Sequence, residues 1–350
     1  MPDAVAWLAG LSPWPEDGFG LERMMALLAA LDFPQLRYPA VHVVGTNGKS
    51  TATVTIEQLL LSEGLSVGST ISPHVRSWDE RVRLGGRPVR LASALTRVRA
   101  EAEQAGATQF ETITAAALTA FADAEVDVAV VEAGLGGRYD ATNVLCSRVV
   151  LLTNVGLEHT DVLGETLDAI AAEKLAVVHT DDTVVILPDD TFGPLVPCGR
   201  VALGGAREAA EAFVGHAIEA LVDVVLPGRL EHRPGEIRDG AHNPDGIAWL
   251  RARLPAADYT VCASLLADKD VDEMLRRLAS IGNRFVATAS SNARSLSAAV
   301  LADRARRHFA VVEEVADPNA AVRRAHVLGE PVLVTGSLYL LADLEAAEAG

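Results

Sequence analysis

The chain alternates between two patterns of apolar residues along its whole length. Short runs rich in Val, Ile and Leu carry apolar residues at consecutive positions, which is typical of parallel strands covered on both faces. They predict strands over residues 41–45, 67–70, 127–132, 149–153, 183–187, 259–264, 284–288, 310–312 and 331–335. Amphipathic Ala- and Leu-rich stretches predict helices over residues 49–63, 92–105, 111–124, 167–178, 206–222, 271–281, 296–307 and 319–328. This alternation predicts an α/β fold with parallel sheets and crossover helices.

The segment VDVVLPGR, residues 222–229, is the best candidate for a domain boundary. It follows a long predicted helix and contains Pro227 and Gly228, and the alternating pattern starts again at Ile237. A chain of 350 residues suits two domains of roughly 100–200 residues each. We therefore predict two α/β domains, residues 1–225 and 226–350.

A glycine-rich turn separates the first long strand from the first long helix. It consists of Gly45, Thr46, Asn47, Gly48, Lys49, Ser50 and Thr51. In such a turn backbone N–H groups converge on phosphate oxygens, and the following helix presents its positive end to the same anion. Lys49 would neutralise the β- and γ-phosphates, and the Ser50 or Thr51 hydroxyl would reach Mg²⁺. The alternative is an ordinary turn of small residues, but strand, glycines, lysine and hydroxyls all fall in register, which favours a nucleotide site.

The amino-acid composition of the chain limits the classes of molecule that it is expected to bind. The formal net charge is −17, and no block of Lys and Arg interrupts it, so nucleic acid and anionic membranes are not expected partners.

The cysteines, Cys146, Cys198 and Cys262, form no Cys-x-x-Cys pair and indicate neither a zinc site nor a disulfide framework. The N-terminus lacks a basic segment followed by an apolar run, and no apolar stretch reaches the ~18 residues of a membrane span. We predict a cytoplasmic protein that acts on small molecules.

Lysine is rare in this chain. Only Lys49, Lys174 and Lys269 occur, although lysine and arginine together number 30. A lineage that favours arginine codons explains the bias without any function. Nevertheless, arginine is always charged and cannot act as a nucleophilic amine, so the remaining lysines are candidates for chemistry that needs an amine.

Polar side chains follow three of the predicted strands. Glu132 ends one strand, His159 lies in the loop after the next, and Ser72 follows the strand over 67–70. Carboxyl ends of parallel strands share one edge of a sheet, where α/β proteins bind ligands, and a carboxylate there can hold Mg²⁺. Each residue also has a simpler interpretation, as a strand-end glutamate, a structural histidine and a Ser-Pro turn.

With these residues in view, the chain resembles the folylpolyglutamate synthase/dihydrofolate synthase family of the Mur ligase superfamily. The resemblance runs through most of the sequence. The most specific block is FETITAAALTAFADAEVDVAVVEAGLGGRYDATNVL. The other matching blocks are VHVVGTNGKS, ISPHVRSWDERVRLGG, TNVGLEHTDVLGETLDAIAAEKLAVV, LPGRLE, DGAHNPDG, LADKDVDEML and VTGSLYLLADL. It implies a phosphate-loop (P-loop) ATPase domain with a parallel sheet, followed by a smaller Rossmann-like α/β domain.

The resemblance also implies an activity. ATP phosphorylates a substrate carboxylate, and the amine of L-glutamate attacks the acyl phosphate, with dihydropteroate or a folate as the carboxylate substrate. Two Mg²⁺ ions would neutralise the transferring phosphoryl group. Ser72 and Glu132 would hold one ion, and His159 and Lys174 would serve the second. Relatives carry a carbamylated lysine at the position of Lys174, and an arginine cannot be converted in this way.

In the second domain, Arg229 matches a residue that contacts the ATP phosphates. Asp239 and His242 match residues at the nucleotide and acceptor side of the cleft. The resemblance thus assigns Lys49, His159 and Lys174 to catalysis. It implies a cleft between the domains that closes on ATP and a protein that works as a monomer.

Two departures from the family matter. Ser50 stands where the family has a third glycine after the lysine, and the segment between 178 and 227 is short and lacks an asparagine expected near the adenine. They leave two alternatives open: a Mur-type ligase that acts on another carboxylate and amino acid, and a paralogue that binds nucleotide or folate without ligating.

Overall fold

The computed structural model describes residues 3–15 and 18–349. Within these ranges the chain divides into two compact units, Met1–Val224 and Val225–Gly350. No helix of the described ranges is long and apolar enough to cross a membrane. Each unit is built on one sheet, with helices that cover its strands, so the α/β class predicted from the sequence is confirmed.

The first unit contains eight strands and eight helices in its described part. The strands are β1 (Ala40–Val44), β2 (Val67–Thr70), β3 (Val82–Leu84), β4 (Arg87–Pro88), β5 (Val128–Glu132), β6 (Ser147–Leu152), β7 (Val184–Leu187) and β8 (Arg200–Leu203). The helices are α1 (Ala4–Ala9), α2 (Glu22–Ala30), α3 (Lys49–Ser62), α4 (Leu91–Ala105), α5 (Gln109–Asp123), α6 (Thr160–Leu163), α7 (Leu167–Leu175) and α8 (Ala206–Val214). Short 3-10 turns cover Pro34–Leu36, Trp78–Arg81 and Gly193–Leu195.

The sheet of this unit has the order β4-β3-β2-β5-β1-β6-β7-β8. Its strands are parallel except for the antiparallel pairs of β3 with β2 and β4. The central strands β1 and β5 are buried at every position, as their mainly apolar sequences predict. One face packs against α1, α2, α4 and α5, and the other against α3 and α8. The carboxyl ends of β1, β2, β5 and β6 therefore lie side by side.

The second unit has six strands and five helices in its described part. The strands are β9 (Glu231–Arg233), β10 (Glu236–Arg238), β11 (Thr260–Ala263), β12 (Arg284–Ala287), β13 (Val311–Glu314) and β14 (Val332–Thr335). The helices are α9 (Pro244–Arg251), α10 (Val271–Leu278), α11 (Ala298–Ala305), α12 (Pro318–Leu328) and α13 (Leu338–Ala349). The order β13-β12-β11-β14-β10-β9 is parallel apart from the edge hairpin of β9 with β10. The order in which the chain adds strands changes direction between β11 and β14, as it does in doubly wound sheets, while these two strands stay parallel.

One predicted helix needs correction, and two parts of the first sheet were not predicted. The helix predicted over 206–222 ends at Val214, because Gly215 caps it with a left-handed φ of 86°. Residues 217–226 then run without regular structure, and Leu221 is exposed. The strand β8 and the hairpin of β3 with β4 were not predicted. All four residues of β8 are exposed and β4 has only two residues, so neither carries the apolar run from which strands were predicted.

A buried ion pair joins this hairpin to the helix after the phosphate loop. The carboxylate of Glu57 in α3 is fully buried and accepts hydrogen bonds from Ser69 Oγ at 2.7 Å and Arg83 Nε at 3.1 Å. Arg83 also donates to the Gly86 carbonyl at 2.6 Å. The pair therefore fixes β3 against α3, and with it one end of the segment that contains Ser72.

Replacing Arg83 by methionine should destabilise the first unit strongly. The variant keeps most of the packing volume and leaves Glu57 as a buried charge without its ion partner, which costs about 3–5 kcal/mol of unfolding free energy. Urea unfolding followed by circular dichroism measures the change. The matched control is Arg97→Met, since Arg97 pairs with Asp123 on the surface, where such pairs contribute about 0–1 kcal/mol. Equal effects of the two substitutions would contradict the prediction.

Candidate nucleotide and metal site

The phosphate loop connects β1 to α3 and is held in shape by the segment after β6. Thr153 Oγ1 donates to the Asn47 carbonyl at 2.8 Å, and Asn154 Oδ1 accepts from the Asn47 N–H at 2.8 Å. The Thr46 N–H donates to the Asn154 carbonyl at 3.0 Å. The first turn of α3 has no side-chain cap, so its N–H groups are available to an anion.

Lys49 is folded onto this loop. Its ammonium donates to the carbonyl oxygens of Gly45 at 3.0 Å and Thr46 at 3.3 Å. Among the described residues, no carboxylate lies within ion-pair distance of Lys49. Its charge is therefore balanced by carbonyl dipoles and by the longer-range attraction of Glu158, without a direct ion pair, which suits a group that neutralises phosphate oxygens.

Glu132 brings three of the predicted residues together. It ends β5, next to β1 in the sheet, and only 2% of its surface is exposed. One carboxylate oxygen accepts from Ser50 Oγ at 3.1 Å, and the other accepts from the Ser72 N–H at 2.9 Å. The Ser72 hydroxyl in turn accepts from Arg81 Nη1 at 3.3 Å. The phosphate loop, the end of β5 and the segment after β2 thus meet at one buried carboxylate.

Lys174 lies beneath the same loop. It belongs to α7, is 1% exposed, and donates from Nζ to the Gly45 carbonyl at 2.9 Å and to Glu158 Oε1 at 2.8 Å. Burial lowers the pKa of Lys174 and the nearby positive charge of Lys49 adds to this, whereas Glu158 opposes it. Burial tends to raise the pKa of Glu158, but the attraction of Lys174 and Lys49 outweighs it and brings this pKa to about 2.

The structure therefore places Lys174 in the interior, contrary to the solvated position usual for a helical lysine. Glu158, its ion partner, is the main residue that sequence reasoning missed. It precedes His159 in the same loop, but nothing in the pattern indicates that its side chain meets a helix 16 residues further along.

His159 occupies the position before α6, with a left-handed φ of 45°. This places it in the loop that follows β6, directly after Glu158, and its role as a ligand stays a prediction. Among the described residues, no group of three or more His, Cys, Asp or Glu side chains is arranged to hold a metal ion. Glu132 and the Ser50 hydroxyl are oxygen donors that meet at the phosphate loop, and Ser72 reaches Glu132 through its backbone N–H.

The predicted residues of the second unit cluster at the end of β10. Asp239 accepts from the N–H groups of Leu230 and Ala241, both at 2.9 Å, and burial raises its pKa while the nearby Arg229 opposes this rise. Arg229 Nη1 donates to the Gly228 carbonyl at 3.3 Å. His242 Nδ1 lies 2.8 Å from the Gly240 carbonyl, so Nδ1 carries the hydrogen of this bond. The three side chains therefore belong to one loop region of this unit.

Comparison with known proteins first defines the class. Residues 43–196, which include the phosphate loop, Glu132 and Lys174, match the Mur ligase middle domain.

Whole-chain similarity defines the family. The chain is 30% identical to the dihydrofolate synthase/folylpolyglutamate synthase of Mycobacterium tuberculosis, over 88% of this chain and 83% of that protein. It superposes on E. coli FolC in complex with DHPP and ADP with a TM-score of 0.89 at 25% identity, covering 100% of this chain and 99% of that one. A Yersinia pestis bifunctional folylpolyglutamate synthase/dihydrofolate synthase with Mn, AMPPNP and L-glutamate bound gives 0.85 at 27% identity, covering 100% and 99%. The chain belongs to the dihydrofolate synthase/folylpolyglutamate synthase family, as the sequence motifs predicted.

Acid should destabilise the first unit partly through Glu158. Its pKa lies below the unfolded value of 4.5, so its stabilising contribution is present above about pH 4.5 and is lost as the pH falls towards 2. Glu158→Gln removes this contribution, and its urea midpoint should therefore change less between pH 5 and 3 than that of the wild type. Glu165→Gln, at an exposed glutamate of the loop before α7, is the control and should follow the wild-type curve. Parallel curves for Glu158→Gln and the wild type would contradict this assignment.

Proposed function

We propose that the protein is an ATP-dependent ligase that joins L-glutamate to dihydropteroate, to a reduced folate, or to both, through an acyl phosphate. The observation that carries this proposal is the meeting of Ser50, Ser72 and Glu132 beside a phosphate loop, with the buried amine of Lys174 beneath it. Membership of the family supports the substrate class, since its members are named for these two activities.

We assign residues 45–51 to the ATP phosphates. The first turn of α3 has no side-chain cap and can offer its N–H groups to an anion, and Lys49 supplies a positive charge that makes no direct ion pair among the described residues. We assign Arg229, Asp239 and His242 to the nucleotide and acceptor side of the reaction, by their match to the family motifs. On this proposal residues 1–225 form the ATP-binding P-loop domain and residues 226–350 form the Rossmann-like domain.

The donor set fits Mg²⁺. Glu132 contributes a buried carboxylate and Ser50 a hydroxyl oxygen 3.1 Å from it, which are oxygen ligands that Mg²⁺ prefers. Ser72 meets this carboxylate through its backbone N–H, and its hydroxyl, which accepts from Arg81, would have to turn towards the ion to bind it. Proteins usually hold Mg²⁺ through one or two carboxylates, with substrate phosphates and water completing the shell, so a group of three acidic residues is not required. When bound, Mg²⁺ neutralises the charge on the transferring phosphoryl group. We propose two ions, with His159 and Lys174 at the second.

Lys174 suits carbamylation. A neutral amine is needed to react with CO₂, and burial together with Lys49 lowers the pKa of this amine. The product is an anion, which would repel Glu158 at its present distance of 2.8 Å from Nζ. We therefore propose that the carbamate forms together with cation binding, and that Glu158 holds the unmodified amine in place until then.

The hydroxyl at position 50 argues against a changed substrate. Ser50 replaces a glycine of the family pattern, and its Oγ bonds Glu132, the proposed metal carboxylate. The departure thus lies on the phosphate and metal side of the site and does not favour another carboxylate substrate. Retention of Glu132 and Lys174 in this arrangement also disfavours a paralogue that only binds. We also propose a cytoplasmic monomer, and the acidic net charge disfavours nucleic-acid partners.

Turnover tests the proposal directly. With ATP, Mg²⁺, L-glutamate and either dihydropteroate or tetrahydrofolate, the protein should release phosphate and form a glutamyl amide that mass spectrometry detects. Lys174→Ala and Lys174→Arg should both lose nearly all activity, because neither can form a carbamate, while affinity for ADP stays within about threefold. The control is Arg304→Ala. Arg304 lies in α11 of the second unit and pairs with Asp272 at the surface, so this variant should keep wild-type turnover. No amide with either pterin substrate would refute the proposed function, and full activity of Lys174→Arg would refute the carbamate.

Glu132→Gln tests the metal assignment. The amide keeps the shape but removes the charge, so the Mg²⁺ concentration for half-maximal activity should rise about 10–100-fold. Titration of phosphate release with Mg²⁺ measures this shift, and addition of EDTA to the wild type should abolish turnover. An unchanged Mg²⁺ requirement would show that Glu132 holds no ion.

A further inference from the structure

A histidine lies in the middle of the strand that carries the phosphate loop. His42 is 1% exposed, and its neighbours in β1 are valines and an alanine. Its Nδ1 has no hydrogen-bond partner, which costs free energy in a buried position. Burial lowers its pKa to about 3, with His179 adding to the effect, so the ring is neutral. Core packing alone does not explain an imidazole where valine would avoid this cost.

The other ring nitrogen of His42 begins a chain of hydrogen bonds. Nε2 lies 2.8 Å from Thr142 Oγ1, and that hydroxyl donates to Asp140 Oδ1. Because the hydroxyl hydrogen is used, Nε2 must carry the hydrogen that bonds Thr142. Asp140 is also bonded by the N–H groups of Thr142 at 3.0 Å and Leu135 at 2.7 Å. The Asp140 carboxylate therefore holds the loop of residues 134–143 together by hydrogen bonds within the loop. The His42 imidazole connects this loop to β1.

The loop of residues 134–143 also packs against the backbone of α7 at Lys174. A β-carbon at Gly137 would lie 2.5 Å from the Lys174 carbonyl oxygen, so glycine is required for this close approach. The Arg138 N–H donates to the Glu173 carbonyl at 3.0 Å, and its Nε bonds the Glu173 carboxylate at 3.1 Å. Any shift of the loop therefore moves the backbone of α7 at Lys174.

We propose that His42, Thr142 and Asp140 form a positioning network that fixes the 134–143 loop to the strand of the phosphate loop and thereby sets the location of Lys174. This inference rests on the proposed function for its catalytic consequence. The three residues act through Lys174 and do not themselves touch the reacting atoms. The network couples β1 to α7 independently of the direct bond from Lys174 to the Gly45 carbonyl.

Thr142→Val tests the network, because it keeps the shape of the side chain and removes the hydroxyl that joins His42 to Asp140. Amide hydrogen exchange of peptides covering 134–143 should become about tenfold faster, while peptides covering β11 in the second unit stay unchanged. Thr142→Ser keeps the hydroxyl and should behave as the wild type. Thr119→Val removes a buried hydroxyl that bonds only its own helix, at the Ala115 carbonyl, and controls for the loss of any hydroxyl.

His42→Leu provides a second test in case Thr142→Val folds poorly. It breaks only the link to β1 and leaves the bond between Thr142 and Asp140, so exchange of the 134–143 peptides should again quicken while the fold is kept. Unchanged exchange in both variants would overturn the network, whatever the enzyme's activity, since this measurement requires no turnover.

Kinetics then test the consequence for Lys174. The kcat of Thr142→Val, calculated per folded molecule, should fall about 10–100-fold, as it does when a residue that orients a metal ligand is replaced. Its KM for ATP should stay within about twofold of the wild-type value. Thr142→Ser should restore kcat. A lowered melting temperature with unchanged kcat per folded molecule would show a purely structural role and overturn the proposal. Absence of ligation by the wild type would instead refute the proposed function and leave the exchange result to decide the network.

Discussion

The site depends on the enclosure of a lysine amine under the phosphate loop. A buried ammonium is costly unless charges and dipoles compensate it, and here the Gly45 carbonyl and Glu158 do so. This pairing constrains its surroundings: Gly45 belongs to the loop, Glu158 to the segment after β6, and Lys174 to α7. Three parts of the chain that are distant in sequence are therefore held at one point by a single side chain.

A second buried charge organises the opposite side of the loop. Glu132 bonds Ser50 at the start of α3 and the backbone at Ser72. The segment with Ser72 is itself anchored through β3 by the pair of Arg83 with Glu57 on the same helix. The arrangement places positive and negative groups around the loop before any ligand is present. Such preorganisation lowers the reorganisation required when a triphosphate and cations bind.

The site also illustrates why a carbamate is plausible chemistry at only one of the three lysines. Lys49 is half-buried on the loop, and its ammonium donates to the carbonyl oxygens of Gly45 and Thr46. Lys269 pairs with Asp268 near the surface of the second unit. Lys174 combines an interior position, an amine whose pKa burial lowers, and a nearby carboxylate, and for this reason we propose the carbamate at Lys174.

Sequence by itself determined the repeated order of strands and helices, the position of the phosphate loop, and the residues at strand ends, because these follow from local apolar patterns and from short motifs. Glu132, Ser72 and Lys49 were predicted for that reason, and the motifs identified the family. Only the tertiary structure decided which side chains meet. It pairs Glu158 with Lys174, links His42 through Thr142 to Asp140 by hydrogen bonds, and fixes the β3–β4 hairpin through the ion pair of Arg83 with Glu57. It also ended α8 at Val214, eight residues before the predicted end. These features depend on contacts between residues far apart in the chain and on burial of charge, neither of which a local pattern records.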